Sequence, residues 1–282
     1  MGLLKEKYLP RLLDNVIERR LEAFGAVEVA GAKFCGKTWA SMAHAESIVH
    51  VDDEAVRQMI EVDVSLALEG DTPHVIDEWQ EVPKIWDAVR RSVDARGNKR
   101  GQYILTGSST VDKTKVTHSG AGRIATLRMR PMSLYEAGKS TGIVSLARLF
   151  EGECPTAQVE VGVRELADYV CRGGWPASIN ASEPIIGDLP AQYLQALFEV
   201  SAAKQGLDPR MARHVAVSLA RNMGKTVTYK TLFGEASQGE PQDGMSSAFF
   251  RQAIEPYTSF FEAQYFTEDQ RGWDAPVKSS HA

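Results

Sequence analysis

The chain has few cysteines and no long apolar run. Its three cysteines are odd in number and share no close spacing, which excludes a disulfide framework and a zinc ribbon of paired cysteines. The six histidines are scattered and form no HExxH pattern, so we expect no zinc site. No stretch reaches the length of about 20 apolar residues that crosses a bilayer, and the charged N-terminus does not resemble a signal peptide. We expect an unprocessed cytoplasmic protein without a membrane partner.

The sequence also lacks an excess of positive charge. Its 32 Lys and Arg residues are outnumbered by 37 Asp and Glu residues, and the formal net charge is −5. This balance exerts no overall attraction on nucleic acid or on an anionic membrane, so either partner would need a local basic patch. With 282 residues, 43% of them hydrophobic, the chain can form one large domain or a few smaller ones.

Short apolar or β-branched runs mark the first half of the chain. Helical patterns separate most of them; Pro83–Ala95, for example, has apolar residues at spacings of three and four. Strands that alternate with helices predict an α/β domain whose mainly parallel sheet is covered on both faces. We expect five strands, at Val27–Ala30, Ile48–Val51, His74–Asp77, Gln102–Thr106 and Ile124–Met129.

The pattern changes near residue 148, where strand-like runs become rare. We predict an ATPase-type domain at 1–148, a helical region at 149–205 and a winged-helix-like region at 206–282. The winged helix is expected to be partial, with a strand-like run at Gln264–Thr267 after three helices. The helices expected beyond residue 148 are Val163–Val170, Leu189–Lys204, Asp208–Asn222, Tyr229–Ala236 and Ser246–Phe261.

The segment from Gly31 to Thr38 reads GAKFCGKT and fits the phosphate-binding pattern G-x-x-x-x-G-K-[ST] at every fixed position. Glycines let successive backbone N–H groups face one concavity before a helix, where they bind anions. A plain glycine turn between strand and helix is the alternative. We call this segment the P-loop. The residues predicted to contact a nucleotide are Gly31, Ala32, Lys33, Phe34, Cys35, Gly36, Lys37, Thr38 and Trp39.

Four residues are predicted to carry the chemistry of phosphate hydrolysis. Lys37 adds a positive charge beside the β- and γ-phosphates, and the Thr38 hydroxyl is a ligand for Mg²⁺. Downstream, the apolar run His74–Ile76 ends in Asp77 and Glu78, a Walker B pattern. In it Asp77 holds the metal and Glu78 acts as general base for the attacking water. Taken alone, such a run is also a common surface strand end.

Two further polar positions are predicted near the γ-phosphate. The run YILTGSS places Thr106 and Ser108 at a strand end, where a polar sensor side chain is expected; Ser108 is preferred, and an ordinary Gly-Ser turn is the alternative. Arg123 follows a glycine-rich loop. It could stabilise charge in phosphoryl transfer, either in its own subunit or in a neighbouring one. A solvated loop arginine is the alternative.

Taken in order, these motifs resemble those of prokaryotic AAA-type ATPases that carry a C-terminal domain of unknown function, a group related to archaeal ATPases. The resemblance rests on YLPRLLD, GAKFCGKT, VIDEWQEVPKIWDAVR, YILTGSS, SGAGRI, RPMSLYEAG, YVCRGGWPAS, DPRMARHVAVSLARN and YKTLF. It implies a five-stranded P-loop core, a helical region and a winged helix, with the roles stated above for Lys37, Thr38, Asp77 and Glu78. It also places Arg11 near the nucleotide, although an arginine at a helix start is the plain alternative.

The resemblance ends early, because family members continue through an aromatic strand into a further α/β segment. We therefore expect a truncated chain in which Phe260, Phe261, Tyr265 and Phe266 are partly uncovered. The expected recognition helix of the winged-helix region is Ser246–Phe261. It contains only one basic residue, Arg251, whereas a helix in the major groove makes several phosphate and base contacts. DNA is thus a weaker candidate partner than a protein or a second copy of the chain.

The leading hypothesis is a Mg²⁺-dependent ATPase that hydrolyses ATP to ADP and phosphate. ATP is the expected nucleotide because the order of the motifs resembles that of AAA-type ATPases; the lack of an N-K-x-D motif for reading guanine does not by itself decide between ATP and GTP. Two alternatives remain at this point: a nucleotide-gated regulator that binds DNA or protein with little turnover, and an inactive truncated remnant.

Overall fold

A computed structural model of the protein describes residue 3 and residues 8–108, 120–158, 160–179, 187–237 and 245–265; for residues 108 and 262–265 it describes the backbone only. The chain divides into two compact units, Met1–Pro190 and Ala191–Ala282. The division predicted at residues 148 and 205 stays a prediction.

The first unit contains a parallel sheet of five strands. The strands are β1 (Ala26–Gly31), β2 (Ser47–His50), β3 (His74–Asp77), β4 (Tyr103–Ser108) and β5 (Ile124–Met129), in the spatial order β2-β3-β4-β1-β5. All four neighbouring pairs are parallel. The central strands read as nearly continuous apolar runs because both faces of a parallel sheet are covered. The predicted α/β fold is confirmed.

Helices cover the two faces of this sheet. They are α1 (Asp14–Ala23), α2 (Lys37–Ala43), α3 (Glu54–Val62) and α4 (Lys84–Ala95), with short 3₁₀ turns at Val64–Leu68 and Trp79–Glu81. Adjacent residues of one strand point to opposite faces. Leu105 accordingly packs into a cluster with Trp79 and Trp86, whose ring centroids lie 5.0 Å apart. Ile104 packs into the opposite cluster, which contains Ile17 of α1.

The register of the strands places the ends of β1, β3 and β4 at one edge. Gly31 lies opposite both Ser108 and Met129, and Asp77 lies opposite His50 at the end of β2. Ligands of open α/β sheets bind at this carboxyl edge, because the loops that leave the strands converge there. The edge is therefore where functional side chains are expected to meet.

Shorter helices follow the sheet. They are α5 (Leu146–Phe150), α6 (Val163–Arg172), α7 (Pro176–Ile179) and α8 (Asp188–Ala196). Helix α6 extends two residues beyond the predicted end at Val170: its C-cap, Gly173, has a φ of 64°, a left-handed conformation that glycine adopts without steric cost.

The described part of the second unit is helical. A π-helical segment (Leu197–Ala202) precedes α9 (Pro209–Arg221), α10 (Tyr229–Ser237) and α11 (Ser247–Tyr265). The predicted start of α9 is confirmed, since the Asp208 side chain caps it by accepting a bond from the Met211 N–H. Residues 264 and 265 belong to α11, so the strand predicted at Gln264–Thr267 is wrong for these two residues. Residues 266 and 267 lie outside the described part, and the winged helix stays a prediction.

The expected exposure of Phe260 and Phe261 is also wrong. Their exposed fractions are 2% and 4%, because both pack into the core of the second unit with Leu197, Phe198 and Ile254. The side chains of Tyr265 and Phe266 lie outside the described residues. Among the helices that are described, none combines the length and the apolar character needed to cross a membrane.

We predict that Leu105→Ala lowers the free energy of unfolding by about 2–5 kcal/mol, because Leu105 is fully buried and truncation leaves a cavity. The measurement is urea unfolding followed by tryptophan fluorescence, since Trp79 and Trp86 lie in the same cluster. Met59→Ala is the control: Met59 is 59% exposed, and its change should stay within about 0.5 kcal/mol. Equal losses in the two variants would contradict the prediction.

Candidate functional site

The P-loop connects β1 to α2 at the carboxyl edge of the sheet. At Gly31 a Cβ atom would lie 2.3 Å from the Met129 carbonyl oxygen, so only glycine lets β1 and β5 approach this closely. At Gly36, the N-cap of α2, φ is 97°, a conformation that residues other than glycine rarely adopt. Both glycines required by the sequence pattern thus have a steric reason in the structure.

Lys37 lies inside the P-loop rather than on the surface. It is the first residue of α2 and only 5% exposed, and its Nζ donates to the Ala32 carbonyl across the loop at 3.0 Å. An ammonium group has three donors, and this bond uses one of them. The remaining capacity suits an anion held in the loop.

Asp77 brings together three elements at the end of β3. The Thr38 hydroxyl donates to Asp77 Oδ1 at 3.0 Å, and His50 Nδ1 lies 3.2 Å from Asp77 Oδ2. Asp77 is only 6% exposed. A hydroxyl and a carboxylate in direct contact are the kind of oxygen ligands that Mg²⁺ takes in P-loop sites. The residues present therefore fit a magnesium ion.

Thr106 contacts both halves of the Asp77-Glu78 pair. Its hydroxyl donates to Asp77 Oδ1 and accepts from the Glu78 backbone N–H at 3.3 Å. Thr106 is fully buried, so these bonds are screened from water. Sequence reasoning preferred Ser108 as the polar residue of this strand; the Ser108 side chain lies outside the described part, and its role stays a prediction.

Glu78 occupies a left-handed turn directly after β3, with φ 55° and ψ 43°. The Gln80 side-chain amide donates to the Glu78 carboxylate. A side chain at Gly107 would clash with Gln80 Oε1, only 2.7 Å from the Cβ position. Sequence reasoning missed Gln80, because nothing in the DEWQE stretch marks one of its polar residues as a partner of the first glutamate.

Arg123 does not join this site within the chain. It immediately precedes β5, and its carbonyl accepts from the Ala26 N–H at 3.0 Å at the opposite edge of the sheet. A strand of six residues is about 20 Å long. The Arg123 guanidinium donates to Asp94 at 2.8 Å, where it is 42% exposed. The expectation that Arg123 reaches a phosphate of its own subunit is wrong; a role in a neighbouring subunit stays a prediction.

The other residues predicted to contact a nucleotide differ in exposure. Phe34 of the P-loop and Trp39 just after it are 43% and 50% exposed, whereas Cys35 of the P-loop is buried. Burial raises the pKa of the Cys35 thiol, although the nearby charges of Lys37 and Arg11 act in the opposite direction. A thiol of this kind stays protonated and serves packing rather than chemistry.

Arg11 lies beneath the P-loop and is 7% exposed. Its guanidinium donates to the Cys35 carbonyl at 2.7 Å, the Arg130 carbonyl at 2.7 Å and the Glu136 carboxylate at 3.0 Å. Arg11 is therefore near the predicted nucleotide site, but its hydrogen bonds are made to the chain itself.

Comparison with known proteins gives one family and a fold. Residues 24–138 match the family described as an AAA domain. A Walker-type ATPase of Pyrococcus abyssi has a similar structure, with a TM-score of 0.54 at 11% identity over 93% of this chain and 91% of that chain. A RuvB variant of Thermotoga maritima aligns with a TM-score of 0.40 at 16% identity over 88% of this chain and 86% of that chain. No curated protein matches the sequence. At these identities the structural likeness shows the fold alone.

We predict that Thr106→Val lowers the free energy of unfolding by about 1–3 kcal/mol, because a buried N–H and a buried carboxylate each lose a partner. Thr106→Ser keeps the hydroxyl and should restore most of the loss. The measurement is urea unfolding at neutral pH. Thr141→Val is the control, since Thr141 is exposed. A Thr106→Val protein as stable as the wild type would refute the buried contact.

Proposed function

We propose that the protein binds ATP with Mg²⁺ and hydrolyses it to ADP and phosphate, a proposal supported by the match of residues 24–138 to an AAA domain. The observation that carries this proposal is the convergence of the P-loop, Asp77 and Glu78 at one edge of the sheet. The P-loop supplies phosphate donors, Asp77 a metal ligand and Glu78 a base, which are the parts that phosphoryl transfer to water requires.

Phosphate binding is assigned to the P-loop. Its backbone N–H groups and Lys37 hold the β- and γ-phosphates, and the burial of Lys37 strengthens its attraction for them because little water screens the charge. Thr38 and Asp77 would hold Mg²⁺, which neutralises charge on the phosphate oxygens when bound. Their hydrogen bond of 3.0 Å places the two ligand oxygens within reach of one ion.

Glu78 is assigned the role of general base. It accepts the proton of the attacking water, and two contacts position it: the Thr106 hydroxyl holds its backbone N–H, and Gln80 holds its carboxylate. Ser108, at the end of the neighbouring strand, is proposed to lie beside the γ-phosphate. Arg123 is proposed to act only from a neighbouring copy, because it lies at the far edge of its own sheet.

Two further features support parts of this proposal. The order of the motifs resembles that of AAA-type ATPases, which favours ATP as the nucleotide. The free thiols of Cys35, Cys154 and Cys171 suit a reducing compartment, which supports the cytoplasm as its location.

We expect saturating ATP and Mg²⁺, at about 100 times the dissociation constant, to add about 2.7 kcal/mol to stability. The melting temperature then rises by about 5–10 °C. Lys37→Met should abolish this shift, because the loop loses its buried charge. Lys99→Met is the control, since Lys99 is exposed, and it should keep the full shift. A wild-type chain that ATP does not stabilise would contradict nucleotide binding.

We expect Glu78→Gln to bind ATP as well as the wild type does but to hydrolyse it at least about 100-fold more slowly, since general base catalysis contributes at least that much. The measurement is phosphate release at saturating ATP, with binding determined separately. Glu81→Gln is the matched control: Glu81 lies three residues along the chain and pairs with Arg57 at 3.6 Å. Binding without turnover in the wild type would instead indicate a nucleotide-gated regulator.

A further inference from the structure

Three sequence segments that the proposed chemistry does not use meet around the P-loop. They are YLPRLLD at 8–14, RPMSLYEAG at 130–138 and RGGWPAS at 172–178. Arg11 of the first segment bonds to both the P-loop and the second segment. The Met132 N–H of the second segment donates to the Gly174 carbonyl of the third at 2.6 Å. These contacts, with the approach of Pro176 to Gly36, connect the three segments to the P-loop.

Arg11 is a buried charge whose partners are all present. Its side chain is 5% exposed and that of Glu136 is 8% exposed. Glu136 in turn accepts from the backbone N–H groups of Leu12 and Ser133 at 2.9 and 2.8 Å. Burial by itself raises the pKa of Glu136, but these hydrogen bonds, with those of the Ser133 hydroxyl and Arg11, hold it below its ordinary value. The pair is therefore ionised at neutral pH and fixed at both ends.

The bond from Arg11 to the Cys35 carbonyl determines the direction of one P-loop peptide. A trans peptide unit is planar, and its carbonyl and N–H point in opposite directions. The guanidinium holds the Cys35 carbonyl on the outer side of the loop at 2.7 Å. The N–H of Gly36, in the same peptide plane, must then point to the inner side, where successive N–H groups bind anions.

Gly36 lies close to both Pro176 and Arg11. A Cβ atom at Gly36 would lie 3.3 Å from Pro176 Cγ and 3.4 Å from Arg11 Nη1. The second guanidinium nitrogen, Nη2, bonds to the Arg130 carbonyl just after β5. The two Nη groups of one guanidinium thus connect the P-loop to the segment that follows β5. A lysine could not make both contacts, because its ammonium has no second donor group at a fixed angle.

We propose that Arg11 is a positioning residue that orients the Gly36 N–H for phosphate binding, with Glu136 holding Arg11 in place. This inference rests on the proposed nucleotide binding but adds a residue that contacts no nucleotide. It distinguishes Arg11 from a ligand of the base or sugar, because a residue that acts through the loop affects any polyphosphate equally, whatever base or sugar it carries.

The test compares wild type with Arg11→Lys, using ATP and inorganic tripolyphosphate as probes in calorimetric titrations and ATP in steady-state hydrolysis. Arg11→Lys should weaken the binding of both probes by about tenfold, which is the equivalent of one hydrogen bond. It should raise KM by a similar factor and leave kcat within about twofold, because the Gly36 N–H contacts phosphate in the ground state and the transition state alike. Loss of folded protein alone would lower kcat and leave KM unchanged.

Two further variants keep the test decisive. Arg90→Lys is the matched control, since Arg90 is a half-buried arginine of α4 paired with Asp94 at 3.3 Å, and it should bind both probes like the wild type. Glu136→Gln touches no P-loop atom and should weaken both probes by about two- to fivefold, because an Arg11 side chain without its carboxylate is held less firmly. If the Arg11→Lys protein does not fold, Glu136→Gln serves as the test variant in its place.

Each outcome has a distinct meaning. Weakening of ATP without weakening of tripolyphosphate would overturn the inference and indicate contact with base or sugar. Normal binding by Arg11→Lys or, should that protein unfold, by Glu136→Gln would overturn it while leaving the proposed function intact. A wild-type chain that binds neither probe would overturn the proposed function, and the inference with it.

Discussion

The parallel order β3-β4-β1 in the middle of the sheet is the constraint on which the candidate site depends. Asp77, Thr106 and the P-loop are far apart in sequence, and each lies at or near the carboxyl end of its own strand. Because the three strands are neighbours and run in the same direction, their ends lie side by side. The hydrogen bonds from Thr38 and Thr106 to one Asp77 oxygen are a direct consequence of this order.

Buried charge is the second theme of the structure. Lys37, Asp77 and Arg11 are each less than 9% exposed, and desolvation would be costly if they lacked partners. Each has them: a carbonyl for Lys37, two hydroxyls for Asp77, and two carbonyls with a carboxylate for Arg11. Charges held in this way lose little orientational freedom when a ligand arrives. These hydrogen bonds thus fix the orientation of the charged side chains at the proposed nucleotide site.

Residues that follow a local rule could be predicted, and residues that depend on distant partners could not. The five strands, the P-loop and the Asp77-Glu78 pair follow from runs of adjacent residues, and the structure places them as expected. The contacts of Gln80 and Thr106 depend on which strand and which turn lie beside them, and the sequence does not show the spatial order of the strands. The glycine-rich loop before Arg123 predicts that it lies near the phosphates. Because β5 runs parallel to β1, Arg123 lies instead at the edge of the sheet opposite the P-loop of its own chain.

The second unit shows the same difference. Asp208 capping α9 is a local pattern and was predicted, whereas the burial of Phe260 and Phe261 depends on the packing of helices that are separate in sequence. The sequence by itself determined the strand-and-helix pattern of the sheet, the turn of the P-loop and the position of the acidic pair, because spacing and backbone preference suffice for each. Only the tertiary structure decided that Arg11 holds the loop through Cys35 and that Arg123 lies at the far edge, because both depend on which strand lies beside which.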